Sequence, residues 1–383
     1  MNGQRILVLS SMNGGAEAVA PVANRLAERK VPCKVLLAGA AKSNARDFSA
    51  QAELLTSFSI KDFRHIVARS RPTAILTGTQ VQSKEGPVTP EQLFWQAGKE
   101  AGIRTVAVMD TWGNEAERFS DLETGVEGRT AAIVRRLNRM PSIITAIDEY
   151  QRGLMLAQGF AERRIVVTGN PYFEKVAAEF ARLSPWTREA LLAKPVFSPL
   201  YKSGNVIVFM SDTMSGYPDI GFTETTLLHS FLRTVDELAR TIGRRINVIV
   251  RPHPFRNQDA ASAFAVESHS IRKVLHNPVS AKGSDPANDY TMEELLYAAD
   301  VVVGTFNNPL VTAKVAGKPV IHYLPNIAPG YDFQKFMSDQ GMSARVTQEG
   351  MLGVVLEGIL SGRIIQKSMD SVQGAIGRVI ALL

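Results

Sequence analysis

Residues 5–38 read RILVLSSMNGGAEAVAPVANRLAERKVPCKVLLA, and their order decides the fold class. An apolar run Arg5–Ser10, turn residues Asn13-Gly14-Gly15, an amphipathic stretch Ala16–Arg29 and a second apolar run Cys33–Ala38 spell strand, turn, helix, strand. Apolar strands joined through a helix pair in parallel, because a crossover of that length returns the chain to the same sheet.

The same alternation continues along the chain. It predicts a helix over 60–70, a strand over 73–77, a helix over 90–101, strands over 105–109 and 142–146, a helix over 149–158 and a strand over 165–168. Gly169-Asn170-Pro171 then reads as the turn that closes a domain. Residues 172–204 carry Pro185, Pro195 and Pro199 with only a short helical pattern over 188–193, and read as an irregular linker. A second series follows: strands over 205–210 (NVIVFM), 247–250, 270–274, 301–304 and 319–322, with helices over 223–242, 292–299 and 309–316. The expected architecture is α/β, with two doubly wound Rossmann-like domains at 1–171 and 205–347 facing across a cleft. Helices in 348–383 are expected to pack back toward the first domain.

Composition narrows the function. With 383 residues, 45% of them hydrophobic and 21% charged, the chain is large enough for two cores, which excludes disorder as the dominant state. No apolar run approaches the roughly 18 to 20 residues of a membrane span. The opening MNGQRILVLSSMNGG reads as a strand entering a turn rather than a leader, so a cytoplasmic protein is expected. The single cysteine, Cys33, excludes an internal disulfide and a thiolate metal cluster. Charge is 43 Lys+Arg against 37 Asp+Glu, a net +6 spread along the chain. That excess suits an anionic small molecule, or peripheral contact with an anionic membrane through pairs such as Arg135-Arg136 and Arg163-Arg164. It is too diffuse for nucleic acid. No metal-ligand spacing and no serine-hydrolase elbow occurs, so neither a metal nor a bound cofactor is expected.

The segments able to carry chemistry fall at strand ends. In Val248–Phe255 (VIVRPHPF) a strand ejects Arg251 and His253 between prolines that stiffen the exit. Arginine offers a bidentate fork to phosphate, and a neighbouring histidine can donate to a phosphate oxygen or move a proton. In Ala299–Thr312 (ADVVVGTFNNPLVT) a strand and a polar loop precede a helix with Pro309 at its first position and Asn308 as the expected N-cap, which would put Thr305, Asn307, Asn308 and Thr312 within reach of a diphosphate. Gly14 and Gly15 allow close backbone approach by a ligand, but lack the dinucleotide and P-loop spacings, which argues against NAD and ATP. Asp110, at a strand end with Glu115 and Glu117 following, is placed to act as a general base. Ser211, in the loop 211–215, is a further ligand contact, whereas Asp148-Glu149 reads as a helix cap. The first four segments also have a structural account, respectively a strand exit, a capped helix, a tight turn and a solvated loop.

Together these features resemble the GT-B superfamily of nucleotide-sugar enzymes. Arg251-Pro252-His253-Pro254 is similar to the His-Pro motif of polysialyltransferase and CDP-glycerol glycerophosphotransferase relatives, and Thr305–Gly317 followed by Lys318-Pro319-Val320-Ile321 to the donor-phosphate loop, helix and strand of GT-B enzymes and UDP-N-acetylglucosamine 2-epimerases. Val166–Pro171 is similar to the end of their first domain. The resemblance implies that Arg251, His253, Thr305, Asn307, Asn308 and Thr312 hold a nucleotide diphosphate, with Asp110 the acceptor-side base. It implies a metal-independent, inverting glycosyltransferase that joins a nucleotide-sugar donor to a carbohydrate or lipid-linked acceptor in surface polysaccharide or glycoconjugate synthesis. The epimerase His-Arg-x-Glu-Asn segment and the paired glutamates of retaining enzymes are missing, and Thr111-Trp112-Gly113 lacks the histidine of the glycerophosphotransferase loop. A nucleotide-sugar 2-epimerase or hydrolase and a non-catalytic small-anion-binding protein are the alternatives.

Overall fold

The computed structural model describes residues 4–81, 88–119, 137–183, 187–214, 217, 219–253, 270–275, 290–331, 335–369 and 372–383. Arg135, Arg136, Pro185, Ser215 and Pro254 lie outside the described residues. The chain divides into two units, residues 1–175 with 370–383 and residues 176–369.

In the first unit, β1 (Ile6–Ser10), β2 (Cys33–Leu37), β3 (Ala52–Leu54), β4 (Ala74–Thr77), β5 (Arg104–Val108), β6 (Ile143–Ala146) and β7 (Ile165–Val167) form a parallel sheet of order β3-β2-β1-β4-β5-β6-β7. Successive side chains of β1 enter opposite cores. Ile6 and Val8 pack with Val19, Val22 and Leu26 of the helix Asn13–Glu28, whereas Leu7 and Leu9 pack with Phe63 and Phe94. Both faces being covered explains why these strands read as continuous apolar runs instead of alternating ones.

The second unit repeats the plan with β8 (Asn205–Met210), β9 (Ile246–Arg251), β10 (Ile271–Leu275), β11 (Val301–Gly304), β12 (Val320–Tyr323) and β13 (Ala344–Val346), in the order β10-β9-β8-β11-β12-β13. The helix Glu224–Ile242 covers one face. Thr223 and Thr226 cap its start reciprocally, Gly243 ends it at φ 62°, and Leu228, Phe231 and Val235 enter the core.

The structure revises several expectations. Residues 172–204 are mostly helical, with helices at Pro171–Arg182 and Thr187–Leu192, because Pro171 sits at a first helical position and starts a helix there. Arg188 then anchors the second helix to Asp300 by paired bonds of 2.7 and 3.1 Å. The tail divides: Leu352, Leu356 and Ile359 of the helix Met351–Leu360 fill the second unit's core, while Val379 and Ile380 of the helix Ala375–Ala381 fill the first unit's. Asn13-Gly14-Gly15 is not a turn but the first turn of the helix Asn13–Glu28.

Candidate active site

In the second unit the strand register fixes the site. Met210 of β8 pairs with both Arg251 of β9 and Gly304 of β11, so the three chain exits Ser211, Pro252 and Thr305 share one carboxyl edge. Strand order reverses between β8 and β11, the switch point where open α/β sheets bind ligands. A pocket of about 460 Å³ opens there, lined by Ser211, Asp212, Arg251, His253, Asn307 and Asn308 among others.

Its polar groups are partly spoken for. The Asn307 amide donates to Met210 O at 3.2 Å, but its buried Oδ1 has no partner among the described residues. Arg251 Nε is likewise buried without one, and burial pushes this guanidinium's pKa down against the opposing pull of Tyr290 and Glu293. A buried cationic donor left without an acceptor is costly, and an incoming anion relieves that cost. Tyr217 and Phe306, ring centroids 5.5 Å apart and nearly perpendicular, form an apolar wall of the pocket.

Of the residues expected from sequence, Ser211, Arg251, His253, Asn307 and Asn308 line this pocket. Thr305 is fully buried beneath it, its hydroxyl donating to Asp212 Oδ2 at 3.3 Å. His322 secures it, Nδ1 lying 2.6 Å from Thr305 O. A carbonyl only accepts, so Nδ1 carries the hydrogen, and burial pushes the imidazole down to about 4, leaving it neutral. Thr312 is not among the pocket residues; its hydroxyl donates back to Asn308 O at 3.4 Å. Asn307, not Asn308, is the N-cap, and its side chain makes no capping bond.

Asp110, Gly14 and Gly15 come together in the first unit. Asp110 Oδ1 takes Arg118 Nη1 at 2.6 Å and Thr79 Oγ1 at 3.2 Å, while a Cβ at Gly14 would collide with Asp110 Oδ2. A Cβ at Gly15 would lie 3.2 Å from Gly78 Cα and Thr79 N, so these glycines admit close approach by the protein's own chain. Nearby, fully buried Glu91 accepts from the Ser11 amide at 2.8 Å and hydroxyl at 2.7 Å, and burial pushes its pKa up. Glu17 is raised to about 7, by burial first and then by Asp47 and Asp110, with Lys175 opposing.

No protein-family model matches the chain, and no curated protein sequence matches it. Solved structures do. UDP-GlcNAc 2-epimerase from Neisseria meningitidis bound to UDP-GlcNAc superposes with a TM-score of 0.66 at 11% identity, over 99% of each chain. A glycosyltransferase from Rickettsia africae gives 0.59 at 13% identity over 100% of this chain and 93% of that one. The HepE protein from Anabaena, in complex with UDP and glucose, gives 0.58 at 15% identity over 99% and 97%. The fold is GT-B. Its two Rossmann-like units are those the alternating pattern implied.

In the sequence Asp212 lies beside Ser211 inside the loop 211–215, and Arg118, Glu17, Tyr217 and Phe306 do not stand out. Arg118 and Glu17 lie on helices, where a charged residue reads as a solvated face. Asp212 was legible as a polar residue closing an apolar strand, the same signal that marked Asp110.

Proposed function

We propose that the protein is an enzyme acting on a nucleotide-activated sugar, and that the reaction is transfer of that sugar to an acceptor hydroxyl. The observation that carries this reading is the pocket at the second unit's switch point, where Arg251, His253 and the start of the helix Asn308–Val315 converge. That combination suits a departing phosphate. Arg251 meets its charge with a fork-shaped donor, and His253 donates to, or protonates, the oxygen that leaves. On the acceptor side the proposed base is Asp110, which takes the hydroxyl proton as the new C–O bond forms and the bond to phosphate breaks. Surface polysaccharide or glycoconjugate synthesis is the proposed setting.

Titration calorimetry with UDP, GDP, CDP, CMP and dTDP sugars tests the donor site. Arg251→Ala should weaken the nucleotide that binds by about 10- to 100-fold, the range of a charge-assisted bond. Unchanged affinity removes the reading. A second reading, epimerisation at the sugar ring, draws support from structural neighbours that are UDP-GlcNAc 2-epimerases. Incubation with donor alone separates the two: a new epimer without any acceptor favours the second.

A further inference from the structure

The amino edge of the second sheet, at the far end of the strands from the pocket, carries positive charge that the fold leaves unspent. Tyr201, in the chain leading to β8, is pinned there by Asn247 of β9: its amide donates to Asn247 Oδ1 at 2.7 Å, and Asn247 Nδ2 donates to its carbonyl at 3.1 Å. Arg245, just before β9, and Arg272 of β10 bring their guanidinium carbons to 5.2 and 5.4 Å from the centre of the Tyr201 ring. Parallel register gathers them, since Arg272 pairs with Asn247 across the sheet. Arg244 and Lys202 stand next to Arg245 and Tyr201 in the chain, and all four cations are exposed. The ring offsets part of the repulsion between the two stacked arginines. Among the described residues, none of the four cations is paired with a carboxylate. The nearby acids are committed elsewhere: Asp236 accepts from the Ser270 amide at 2.9 Å and lies 3.5 Å from Arg240, and Asp300 holds Arg188 at 2.7 Å.

We propose that this edge docks on an anionic phospholipid surface through Lys202, Arg244, Arg245 and Arg272. Unpaired cations gathered at one edge set up a local positive potential, which a layer of headgroup phosphates complements. Each arginine offers its fork of donors to the oxygens of one phosphate. A nucleic-acid groove pairs its cations with rings on which bases stack, whereas the ring at this edge carries the arginines themselves. None of the large apolar side chains exposed among the described residues belongs to these strands or to the chain leading into them, so the contact is electrostatic, without insertion. In the first unit, the pair Arg163-Arg164 turns one guanidinium inward, Arg164 Nη1 donating to Pro141 O at 2.6 Å, and presents a weaker patch. The inference does not depend on the donor-site reading, because the pocket lies at the opposite, carboxyl edge.

Vesicle co-sedimentation of the full chain tests the docking. Vesicles of phosphatidylglycerol mixed with phosphatidylcholine should retain the protein, and phosphatidylcholine alone should not. Raising the salt from about 0.1 to 1 M, which shortens the screening length from about 10 to 3 Å, should release it. Arg245→Glu with Arg272→Glu should weaken association at least about 10-fold. Lys61→Glu with Arg69→Glu removes the same charge from exposed positions of the first unit, and should weaken it by less than about two-fold. Arg245→Gln with Arg272→Gln, which loses the charge without reversing it, should show a smaller loss of the same sign than the glutamate pair and serves if that pair does not fold, as melting temperatures will tell. Binding to phosphatidylcholine alone, binding to neither vesicle, or an equal loss in the two charge-matched variants overturns the proposal. So does tighter binding of a DNA duplex than of vesicles through the same residues. A dimer that the Arg245 and Arg272 substitutions dissociate in sedimentation velocity, with vesicles left unbound, assigns the edge to a second copy of this chain and overturns it too.

Discussion

The two sheets share a strand order around their switch points, yet the two carboxyl edges are used in opposite ways. Beside β1 and β4, the first unit packs much of its edge with its own chain, Gly15 against Gly78 and Ser11 against buried Glu91, and leaves Asp110, paired with Arg118, 15% exposed in its side chain. Beside β8 and β11, the second unit leaves a pocket with a buried guanidinium nitrogen that has no acceptor among the described residues. Topology alone therefore makes no ligand site. What opens or closes the edge is the side chains and glycines that follow each strand.

The sharpest way to break this contrast is to disturb the closed edge. Arg118 and Asp110 are 5% and 15% exposed in their side chains and 2.6 Å apart, and Arg118 Nη1 also donates to Thr79 at 2.7 Å. Replacing the guanidinium by an apolar chain leaves a nearly buried carboxylate unpaired, which costs about 3–5 kcal/mol. Arg118→Met should therefore lower stability in urea unfolding by that amount, and Arg118→Met with Asp110→Leu should recover most of it. If the single substitution is neutral, the first edge is not held by this pair.

Much of this is legible in the sequence. β8 was bounded correctly from NVIVFM because a strand buried on both faces admits only apolar residues. β3 and β13 do not show in the sequence because each is a three-residue edge strand, AEL and ARV, too short and polar to stand out. Asn13-Gly14-Gly15 misled in an instructive way. Glycine and asparagine favour turns locally, but here the segment is helical, and glycine stands at 14 and 15 because Asp110 and Gly78 leave no room for a Cβ. That Arg251 and His253 lie at a strand exit is legible because strand exits on a parallel sheet are predictable. Asp212 belongs to the same edge through register between β8 and β9, a long-range fact that spacing along the chain does not contain.

The units should also respond to pH in opposite senses. His322 is 1% exposed and falls from 6.5 to about 4 in the folded protein, so the native state resists protonation that the unfolded chain accepts. Its contribution is complete above about 6.5 and is lost as pH falls toward 4, on the order of 2 kcal/mol. Glu17 behaves inversely: its pKa rises from 4.5 to about 7, so the native state holds a proton that the unfolded chain releases. Stability from that group is complete below about 4.5 and is lost as pH climbs to 7, on the order of 1 kcal/mol because the side chain is only partly buried. Urea unfolding at pH 4, 6 and 8 separates them. His322→Asn should flatten the acid limb relative to wild type, and Glu17→Gln should gain on wild type at pH 8 but not at pH 4. The same slope in both variants would show that the groups do not titrate as their surroundings dictate.

The smallest effect sharpens where the open edge ends. Thr312 sits one turn into the helix that begins at Asn308, and its hydroxyl is spent on the carbonyl of Asn308 at 3.4 Å, the back-bond a threonine makes inside a helix. Valine keeps the shape and loses only that bond, so Thr312→Val should alter nucleotide affinity by less than about two-fold. Ser211 faces the pocket from the end of β8, so Ser211→Ala should cost several-fold in the same titration. A large loss from Thr312→Val would extend the ligand a full turn along the helix, past Asn308 and Pro309, and would redraw the proposed phosphate site around the helix body instead of its first residues.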